Sequence, residues 1–476
     1  MGTPDYHAAF RNVTREHGFE ALRVEGAVPP ALRGTFVRNG PGLLELFGRR
    51  YGHWFDGDGL LSAVRFDDDG ATGAVQMLET PGLLEERRRG KPYFGAFGTT
   101  PPGMWNPVRA LRAIRGTSKN PANTSVLPWA GRLFALCEIG RPFEVDPRDL
   151  RSIGETDLDG VVPRAFSAHP HRVAETGYVY NIGTRVGRPN AIDAFTLRPN
   201  GTAGRLCTLP LDTPTLIHDF AATARHLVVF VAPLRLKLLP TLLGRETFVD
   251  SLTWEPERGS EVVVIPLDAP SSPVRFRVDP FWAWHVGNAF ERDGAIVIDV
   301  VRYRDWPTSG SWPARVLGRD APLNAEGELT RLVVDPARRT VSREPLRDRV
   351  GEFPRVAPAV DGRAHRTLYW TEYARPERAR DAMPDTLVRV DTEGGGTDAF
   401  TFDEGHVPSE AVFAPRPGAT DERDGWLLTQ VYDATSHTTY YAVLDAAHIA
   451  DGPVCTAHLD HHVPIGFHGA WIPSGR

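Results

Sequence analysis

The stretch Leu60-Leu61-Ser62-Ala63-Val64-Arg65-Phe66, followed by Asp67-Asp68-Asp69-Gly70, shows the pattern on which this chain is built. A short apolar run is typical of one strand, and a cluster of aspartates ending in glycine is typical of a tight turn. The same alternation recurs along the whole chain. Further runs of this kind are Arg132 to Cys137, Tyr178 to Ile182, Leu227 to Val231, Glu261 to Ile265, Ala295 to Val301, Leu329 to Val334, Thr367 to Trp370, Trp426 to Tyr432 and Thr439 to Leu444.

Strands spread this evenly, with few amphipathic helix signals between them, predict an all-β protein of many small sheets. A chain of 476 residues favours a β-propeller over a single sandwich. No blade signature repeats cleanly, so the spacing leaves the number of blades open. We find no linker and expect one domain over residues 1–476. The stretch from Leu83 to Ala122 lacks clear strands and is expected to lie over one face as loops and short helices.

Composition excludes several classes of protein. A net charge of -6 without a basic face gives no reason to expect nucleic acid as a partner. The chain has three cysteines, an odd number and widely spaced, so neither a disulfide framework nor a thiolate metal site is predicted. We see no signal segment and no run of transmembrane length, and therefore expect a soluble, cytoplasmic protein.

Four of the sixteen histidines stand out by their context. Each is flanked by apolar or small residues near the start or end of a predicted strand, and they are His169, His218, His285 and His468. A buried imidazole needs a partner, and a metal ion is one such partner. The ordinary alternative is a surface or hydrogen-bonded histidine, because no two of these four come from one short segment, as they do in zinc fingers or HExxH sites.

Nine segments, in order along the chain, resemble motifs of the carotenoid cleavage oxygenase family, which includes apocarotenoid-, carotenoid- and stilbene-cleaving enzymes. The resemblance runs over most of the chain. Its segments are Arg38-Asn39-Gly40-Pro41-Gly42, His53-Trp54-Phe55-Asp56-Gly57-Asp58-Gly59, Ala122-Asn123-Thr124-Ser125, Ala168-His169-Pro170, Ile217-His218-Asp219-Phe220, His285-Val286-Gly287-Asn288-Ala289-Phe290-Glu291, Glu352-Phe353-Pro354, Glu410-Ala411-Val412-Phe413 and Gly466-Phe467-His468-Gly469.

This resemblance implies a seven-bladed β-propeller with a cap of loops and short helices over the face that contains the metal. It implies ferrous iron (Fe2+) on the propeller axis, held by His169, His218, His285 and His468, with His171 as a rival to His169. The family orients its imidazoles with three glutamates, which match Glu138, Glu352 and Glu410. Four neutral imidazoles suit Fe(II) and leave coordination positions open for dioxygen.

The resemblance also assigns residues around the metal. Thr124 matches a threonine that narrows one open coordination position, and Trp284 and Phe353 match aromatic residues that line the substrate tunnel. Cys137 occupies the position where stilbene-cleaving members carry a lysine that binds a phenol. Carotenoid-cleaving relatives often carry tryptophan there, so we expect a carotenoid or apocarotenoid substrate and keep a stilbene-type substrate as the alternative.

The reaction implied is oxidative cleavage of a conjugated C=C double bond by dioxygen to give two carbonyl products. Its partners are an apolar small molecule and O2, without an obligate protein partner. The protein contributes metal geometry, exclusion of water and a shaped apolar tunnel. Two other classes remain: a non-catalytic propeller scaffold with a degenerate metal site, and a hydrolase that uses another divalent metal.

One leucine-rich segment, from Leu234 to Arg245, is unlike the rest of the chain. It is too short to span a bilayer and is edged with cationic residues, which is typical of a segment lying in a membrane interface. The alternative is a buried cap helix. Relatives carry an apolar patch here, so we expect peripheral membrane docking through Leu234, Leu236, Leu238, Leu239, Leu242 and Leu243.

Overall fold

The structure, a computed structural model, describes residues 6–100, 119–187, 189–242, 245–306, 327–375, 383–394 and 396–474. It is mostly β, with 49% of residues in strands and 7% in helices. The strands form the seven blades of a β-propeller, so the predicted fold class is confirmed. Blades are numbered here in chain order, and each is described from the propeller axis outward.

Blades 2, 3 and 4 are four-stranded antiparallel sheets in which the strands follow one another along the chain. Blade 2 consists of Ser125–Trp129, Arg132–Leu136, Phe143–Val145 and Ser152–Glu155. Blade 3 consists of His171–Arg172, Val179–Arg185, Ala191–Leu197 and Ala203–Pro210. Blade 4 consists of Ala221–Ala222, His226–Val231, Ser260–Pro266 and Val274–Val278.

Blades 5 and 6 share one long strand, Thr340–Arg355, which is outermost in blade 5 and innermost in blade 6. The other strands of blade 5 are Trp282–Arg292, Ala295–Tyr303 and Glu328–Asp335. Those of blade 6 are Thr367–Glu372, Thr386–Asp391 and Thr397–Thr401. The two blades are therefore one continuous sheet of seven strands.

Blades 1 and 7 close the ring with strands from both ends of the chain. Blade 1 consists of Gly469–Pro473, Gly34–Leu43, Asp58–Asp67, Gly70–Met77 and His17–Ala21. Blade 7 consists of Val412–Pro415 and His406–Pro408, which both pair with Gly425–Asp433, followed by Thr438–Asp445, Pro453–His458 and Arg23–Gly26. The C-terminal strand thus becomes the innermost strand of blade 1.

The core lies between blades rather than in one central mass. A middle strand such as Ala191–Leu197 is buried along its whole length, because neighbouring blades cover both of its faces. Blades 7 and 1 share a cluster in which Phe36 and Tyr441 pack edge to face with ring centroids 6.2 Å apart. This double-sided burial explains why the sequence shows continuous apolar runs instead of strict alternation.

Helices are few and short in the described part of the chain. The α-helices are Pro81–Arg89 and Leu238–Leu242, and the 3-10 helices are Tyr6–Phe10, Trp54–Asp56, Pro256–Arg258, Pro358–Val360 and Ile449–Asp451. Two small hairpins pair Glu45–Leu46 with Arg49–Arg50 and Leu234–Leu236 with Leu252–Trp254. Across these residues, no helix combines the length and apolar character needed to span a bilayer.

The helix Pro81–Arg89 falls at the start of the region expected to be loops and short helices. The Thr80 hydroxyl accepts a hydrogen bond from the amide of Leu83, and Gly90, in the left-handed conformation, ends the helix. Residues 101–118, the middle of that expected cap, lie outside the described residues.

Candidate metal centre

The innermost strands bring distant residues of the chain to one point near the propeller axis. Because the innermost strands all run in the same direction along the propeller axis, residues at their corresponding ends meet on one face of the propeller. In the described part of the chain, the innermost strand of every blade, or the segment just before it, supplies one residue of the predicted metal site. From blade 1 to blade 7 these residues are His468, Thr124, His169, His218, His285, Glu352 and Glu410.

The four predicted histidines form one cluster. Ring centroids lie 4.3 Å apart for His169 and His218, 5.1 Å for His169 and His285, and 5.2 Å for His218 and His285. The ring of His468 lies 4.8 Å from each of His169 and His285. Side-chain nitrogens of His169, His218 and His285 all fall within 4.8 Å of one another, so these residues can bind one metal ion.

Three histidines have Nδ1 close to a carboxylate. His285 and His468 form hydrogen bonds with theirs, whereas His218 lies near Glu138 without one, and among the described residues both buried oxygens of Glu138 lack a hydrogen-bond partner. The distances are 3.1 Å from His218 to Glu138, 2.5 Å from His285 to Glu352, and 2.9 Å from His468 to Glu410. An imidazole that donates its Nδ1 proton keeps a free lone pair on Nε2, which is the form that binds a metal. The pairs His285–Glu352 and His468–Glu410 match the predicted partnership of histidine and glutamate, and Glu138 lies beside His218.

The Nε2 atoms of His218 and His285 lie 3.4 Å apart. If both rings carry the proton on Nδ1, two lone pairs face each other at this distance, an arrangement that a shared cation stabilises. Two ligands bound at about 2.1 Å and at right angles would be separated by about 3 Å. The donor set and its spacing therefore fit a metal ion.

His169 has no carboxylate of its own. Its Nε2 lies 3.5 Å from Glu138, which is too far for a strong hydrogen bond. Burial, together with the neighbouring His218, lowers the pKa of His169 to about 4, so the imidazole is neutral at pH 7. Burial alone would raise the pKa of Glu138, but His218 and His169 outweigh it and lower that pKa to about 2.

His171, the rival to His169, is engaged elsewhere. Its Nε2 lies 2.7 Å from Oδ1 of Asp219, and its ring packs edge to face on Phe220. Asp219 in turn accepts the amide hydrogen of Val286 at 2.7 Å. The structure therefore brings His169, and not His171, into the ring contacts of the histidine cluster.

Two arginines that the sequence did not predict surround Glu410. Arg355 donates from Nε to Oε1 at 2.7 Å, and the buried Arg38 lies 3.3 Å from Oε2. Burial would raise the pKa of Glu410, but Arg355, His468 and Arg38 together hold it well below its usual value. Arg38 also donates to the carbonyl of Phe467 at 2.9 Å, which fixes the chain just before His468.

Tyr303 is a further residue that the sequence did not predict. Its hydroxyl donates to Oε1 of Glu352 at 2.8 Å. Burial and the adjacent carboxylate of Glu352 raise the pKa of Tyr303 well above its usual value, so the hydroxyl keeps its proton. Tyr303 lies in an apolar strand run, where a tyrosine resembles any other core residue, so the sequence carried no signal for this contact.

Thr124 is joined to the histidine cluster by a backbone hydrogen bond with His468. Its carbonyl accepts the amide hydrogen of His468 at 3.1 Å, and its own amide donates to the carbonyl of Leu136 at 2.9 Å. The hydroxyl donates to Oδ1 of Asn123 at 3.0 Å. The structure thus places Thr124 beside His468, whereas its effect on an open coordination position stays a prediction.

Aromatic side chains border the histidines. The ring of Trp284 meets His218 edge to face at 4.6 Å, and it also packs on Trp282 and Trp306 at 5.1 and 5.5 Å. Phe55, which sequence reasoning did not single out for this role, packs edge to face on Trp284 at 5.7 Å. These rings form an apolar wall beside the predicted metal position.

Cys137 is buried next to Glu138. Burial raises the pKa of its thiol to about 12, so the side chain is uncharged at pH 7. A thiol carries no positive charge in either protonation state, so Cys137 cannot replace the cationic group of a lysine at this position.

The leucine-rich segment is expected to expose its leucines to a membrane, but not all of them are exposed in the structure. Leu234 and Leu236 are 2% and 3% exposed and pack in the cluster that contains Trp282 and Trp284, so their assignment to membrane docking is wrong. They lie in a strand, where alternate side chains point inward, while Arg235 between them is exposed. Leu239 is 66% exposed. The side chains of Leu238 and Leu242, and the whole of Leu243, lie outside the described residues.

Comparison with known proteins agrees with this geometry. The family model of the retinal pigment epithelial membrane protein (RPE65) matches residues 10–473. The apocarotenoid-15,15'-oxygenase of Synechocystis is 32% identical over 480 residues, covering 98% of this chain and 96% of the relative. The isoeugenol monooxygenase of Pseudomonas nitroreducens is 28% identical, covering 95% of this chain and 94% of the relative.

Solved structures give the same result. The cobalt-substituted Synechocystis ACO has a TM-score of 0.87 and 30% identity, covering 98% of both chains. A chimera of ACO and RPE65 has a TM-score of 0.89 and 30% identity, also covering 98% of both chains. The chain therefore belongs to the RPE65 family, which includes the carotenoid cleavage oxygenases.

Proposed function

We propose that this protein is a non-haem Fe(II) dioxygenase, acting as one domain, that cleaves a conjugated C=C double bond of a carotenoid or apocarotenoid to two carbonyl products. The observation that carries this proposal is the convergence of His169, His218, His285 and His468 on the propeller axis. The relatives named as apocarotenoid and carotenoid cleavage enzymes support the substrate class.

The chemistry of the donor set favours iron. Four neutral imidazoles leave the positive charge of a divalent ion intact, and the carboxylates behind three of them offset that charge in a buried site. Ferrous iron, when bound there, supplies the redox chemistry that activates dioxygen towards the alkene. The imidazoles of His285 and His468 are held in place by hydrogen bonds to Glu352 and Glu410, and Glu138 lies close to His218, so the site needs little rearrangement to bind the ion.

The remaining residues bind and orient the substrate. The aromatic wall of Trp284 and Phe55 is apolar and rigid, which suits a polyene and excludes water from the reacting bond. Phe353 lies against both His285 and His468, and we assign it to the same wall. Thr124 lies beside His468, where its side chain can restrict access to one side of the metal. The position of the cut then depends on how far the polyene enters the tunnel.

A phenylpropanoid substrate is the second candidate because a Pseudomonas relative is named as an isoeugenol monooxygenase. Cys137 favours the polyene over a phenol. Its thiol is buried and uncharged at pH 7, because burial raises its pKa to about 12. A thiol is never cationic, so it offers a phenol no positively charged partner. A carotenoid or apocarotenoid, which needs only apolar contacts at this point, fits better.

Peripheral membrane contact remains part of the proposal, now centred on Leu239. This leucine is exposed, and the cationic Lys237 lies two residues before it in the sequence. An exposed leucine beside basic residues is typical of a contact with a lipid interface. We expect the protein to be cytoplasmic and to dock on a membrane from which an apolar substrate can enter.

The test is anaerobic loading with Fe(II), followed by exposure to a panel of carotenoids, apocarotenals and hydroxystilbenes in air, with products identified by mass. We expect the wild-type protein to give paired carbonyl products from a polyene. A His218→Ala variant prepared in the same way should give none. Cleavage of hydroxystilbenes alone would identify the second candidate. Turnover that requires Mn or Zn and consumes no oxygen would indicate a hydrolase, and a protein that binds no iron would indicate a scaffold.

A further inference from the structure

Phe353 has an unusual backbone. Its φ angle is +59°, in the left-handed region that bulky side chains rarely adopt. Strand pairing with Thr367–Glu372 is regular at Glu352 and at Arg355 but shifts register between them. Phe353 therefore sits in a bulge of the innermost strand of blade 6, next to a carboxylate that faces the histidine cluster.

The bulge directs the amide of Phe353 at the side chain of Glu352. The amide donates to Oε2 at 2.7 Å, and the same oxygen lies 2.5 Å from Nδ1 of His285. The hydroxyl of Tyr303 holds the other oxygen, Oε1, at 2.8 Å. Besides His285, the Glu352 carboxylate therefore has two hydrogen-bond donors, the Tyr303 hydroxyl on one oxygen and the Phe353 amide on the other.

The ring of Phe353 also contacts the cluster. It stacks on His285 with a centroid distance of 5.3 Å and an interplanar angle of 29°, and it meets His468 edge to face at 5.4 Å. Two separate contributions are therefore present in one residue: a backbone donor to Glu352, and a ring that packs on two imidazoles from blades 5 and 1.

Strained backbone persists where surrounding contacts stabilise it and is concentrated at functional sites. A regular strand would avoid the left-handed conformation, yet here it occurs beside one of the histidine–glutamate pairs. We infer that Phe353 is a positioning residue for the Glu352–His285 pair, and that its left-handed backbone, rather than its ring, fixes the carboxylate. This inference rests on the proposed metal site.

Replacing Phe353 by leucine or by isoleucine separates the contribution of its backbone from that of its ring. The two residues have the same size but differ in branching at Cβ. A β-branched residue tolerates a positive φ least, whereas an unbranched one tolerates it better, and glycine adopts it without strain. The Phe353→Ile variant should therefore lose the amide contact, while Phe353→Leu should retain more of it. Phe353→Gly should retain the amide contact and lose the ring.

The experiment measures Co²⁺ affinity by equilibrium dialysis of the metal-free full chain, with melting temperature recorded for each variant. Phe353→Ile should bind Co²⁺ about 10–100-fold more weakly than the wild type, the usual effect of losing a group that orients a ligand. Phe353→Gly should stay within a few-fold of the wild type, and Phe353→Leu should lie between them. This order should persist at temperatures well below every melting transition.

Equal losses in Phe353→Ile and Phe353→Leu, with a larger loss in Phe353→Gly, would overturn the inference and assign the effect to the ring. The Glu352→Gln variant separates this failure from that of the metal site. If Glu352→Gln weakens Co²⁺ binding but the three Phe353 variants do not follow the expected order, only the inference fails. If Glu352→Gln also binds as the wild type does, the assignment of Glu352 to the metal site fails with it.

Discussion

Glu352 and Glu410 orient their histidines with different partners. The carboxylate of Glu410 is paired with two guanidinium groups, those of Arg38 and Arg355. Glu352 receives hydrogen bonds from the Tyr303 hydroxyl and the Phe353 amide and pairs with His285, but no arginine contacts it among the described residues. Loss of charge at the two glutamates should therefore have different consequences, because only Glu410 is paired with a buried guanidinium group.

Glu410→Gln should destabilise the metal-free protein by about 3–5 kcal/mol, because it leaves Arg38, which is 1% exposed, without a carboxylate partner. Glu352→Gln should cost less, about 1–2 kcal/mol, since no guanidinium group loses its carboxylate partner. The main effect of Glu352→Gln should be to lower the metal affinity about 10–100-fold. Denaturant unfolding and equilibrium dialysis measure the two quantities. Equal unfolding free energies for the two variants would contradict this account.

His218→Ala should abolish iron binding and turnover, because three imidazoles hold the ion poorly and the buried Glu138 carboxylate loses its nearest imidazole. His171→Ala is the matched control, since His171 bonds to Asp219 outside the histidine cluster. The control should retain iron and activity. Metal content by mass spectrometry and product formation provide the measurement. Full activity in His218→Ala would remove His218 from the site.

At the residue scale the sequence identified the histidines and glutamates but missed their partners. His218 lies in a motif that resembles the family and Glu138 matches one of the family's glutamates, and the structure brings them within 3.1 Å. Arg38 and Tyr303 meet glutamates on other blades or strands, and such contacts depend on blade order rather than on local sequence. Arginine and tyrosine are also common in ordinary structural roles, so their residue types gave no signal.

At the scale of single elements, the leucine-rich segment shows where pattern reasoning fails. Leu234–Leu236 is a strand, whereas Leu238–Leu242 is a short helix, so the burial of each leucine follows a different period. Leu236 therefore packs inward, while Leu239 is exposed. A run of similar residues that changes from strand to helix within a few positions cannot be interpreted as one surface.

Leu239→Ser should reduce sedimentation with liposomes while leaving the melting temperature nearly unchanged, because the side chain is 66% exposed. Ile153→Ser is the matched control, an aliphatic residue that is 56% exposed on the outer strand of blade 2. Vesicle binding by the control should equal that of the wild type. If both variants sediment alike, membrane docking through Leu239 is dismissed.

Leu236→Ser should instead destabilise the protein by at least about 2–5 kcal/mol, the cost of truncating a buried leucine, with the burial of a hydroxyl added to it. The side chain packs in the core cluster with Trp282 and Trp284. Denaturant unfolding measures this loss. A change below about 1 kcal/mol would contradict the buried position of Leu236.

At the scale of the whole molecule, ring closure and the metal site are coupled. The amide of Asn39 donates to the carbonyl of His468, and the amide of Phe467 donates to the carbonyl of Asn39, both at 2.9 Å. These bonds join the second strand of blade 1 to the segment that brings in the last histidine. The C-terminal tail is therefore ordered because it completes both a blade and the histidine cluster.

Gly40→Ala tests this coupling. A Cβ atom there would lie 2.3 Å from the Cα of Gly466, so the C-terminal segment must move away. We expect a loss of about 1–3 kcal/mol in unfolding free energy and a weaker metal site. Gly18→Ala is the control, since no atom lies within 4 Å of its added Cβ. Wild-type metal affinity in Gly40→Ala would show that closure and metal binding are independent.

The sequence predicted the class of fold but not its blade count. Blades 5 and 6 share the strand Thr340–Arg355, and blades 1 and 7 take strands from both ends of the chain. Neither feature leaves a regular period in the sequence, so only the family resemblance indicated seven blades. Burial of both faces of the middle strands did leave a signal, in the form of continuous apolar runs.

The central claim is that one iron ion is held by four imidazoles on the propeller axis. X-ray absorption at the iron edge of the anaerobically loaded full chain measures the ligands directly. We predict four imidazole nitrogens at about 2.1 Å from the iron. A fit that requires two or fewer imidazoles, or a sulfur ligand, would contradict it.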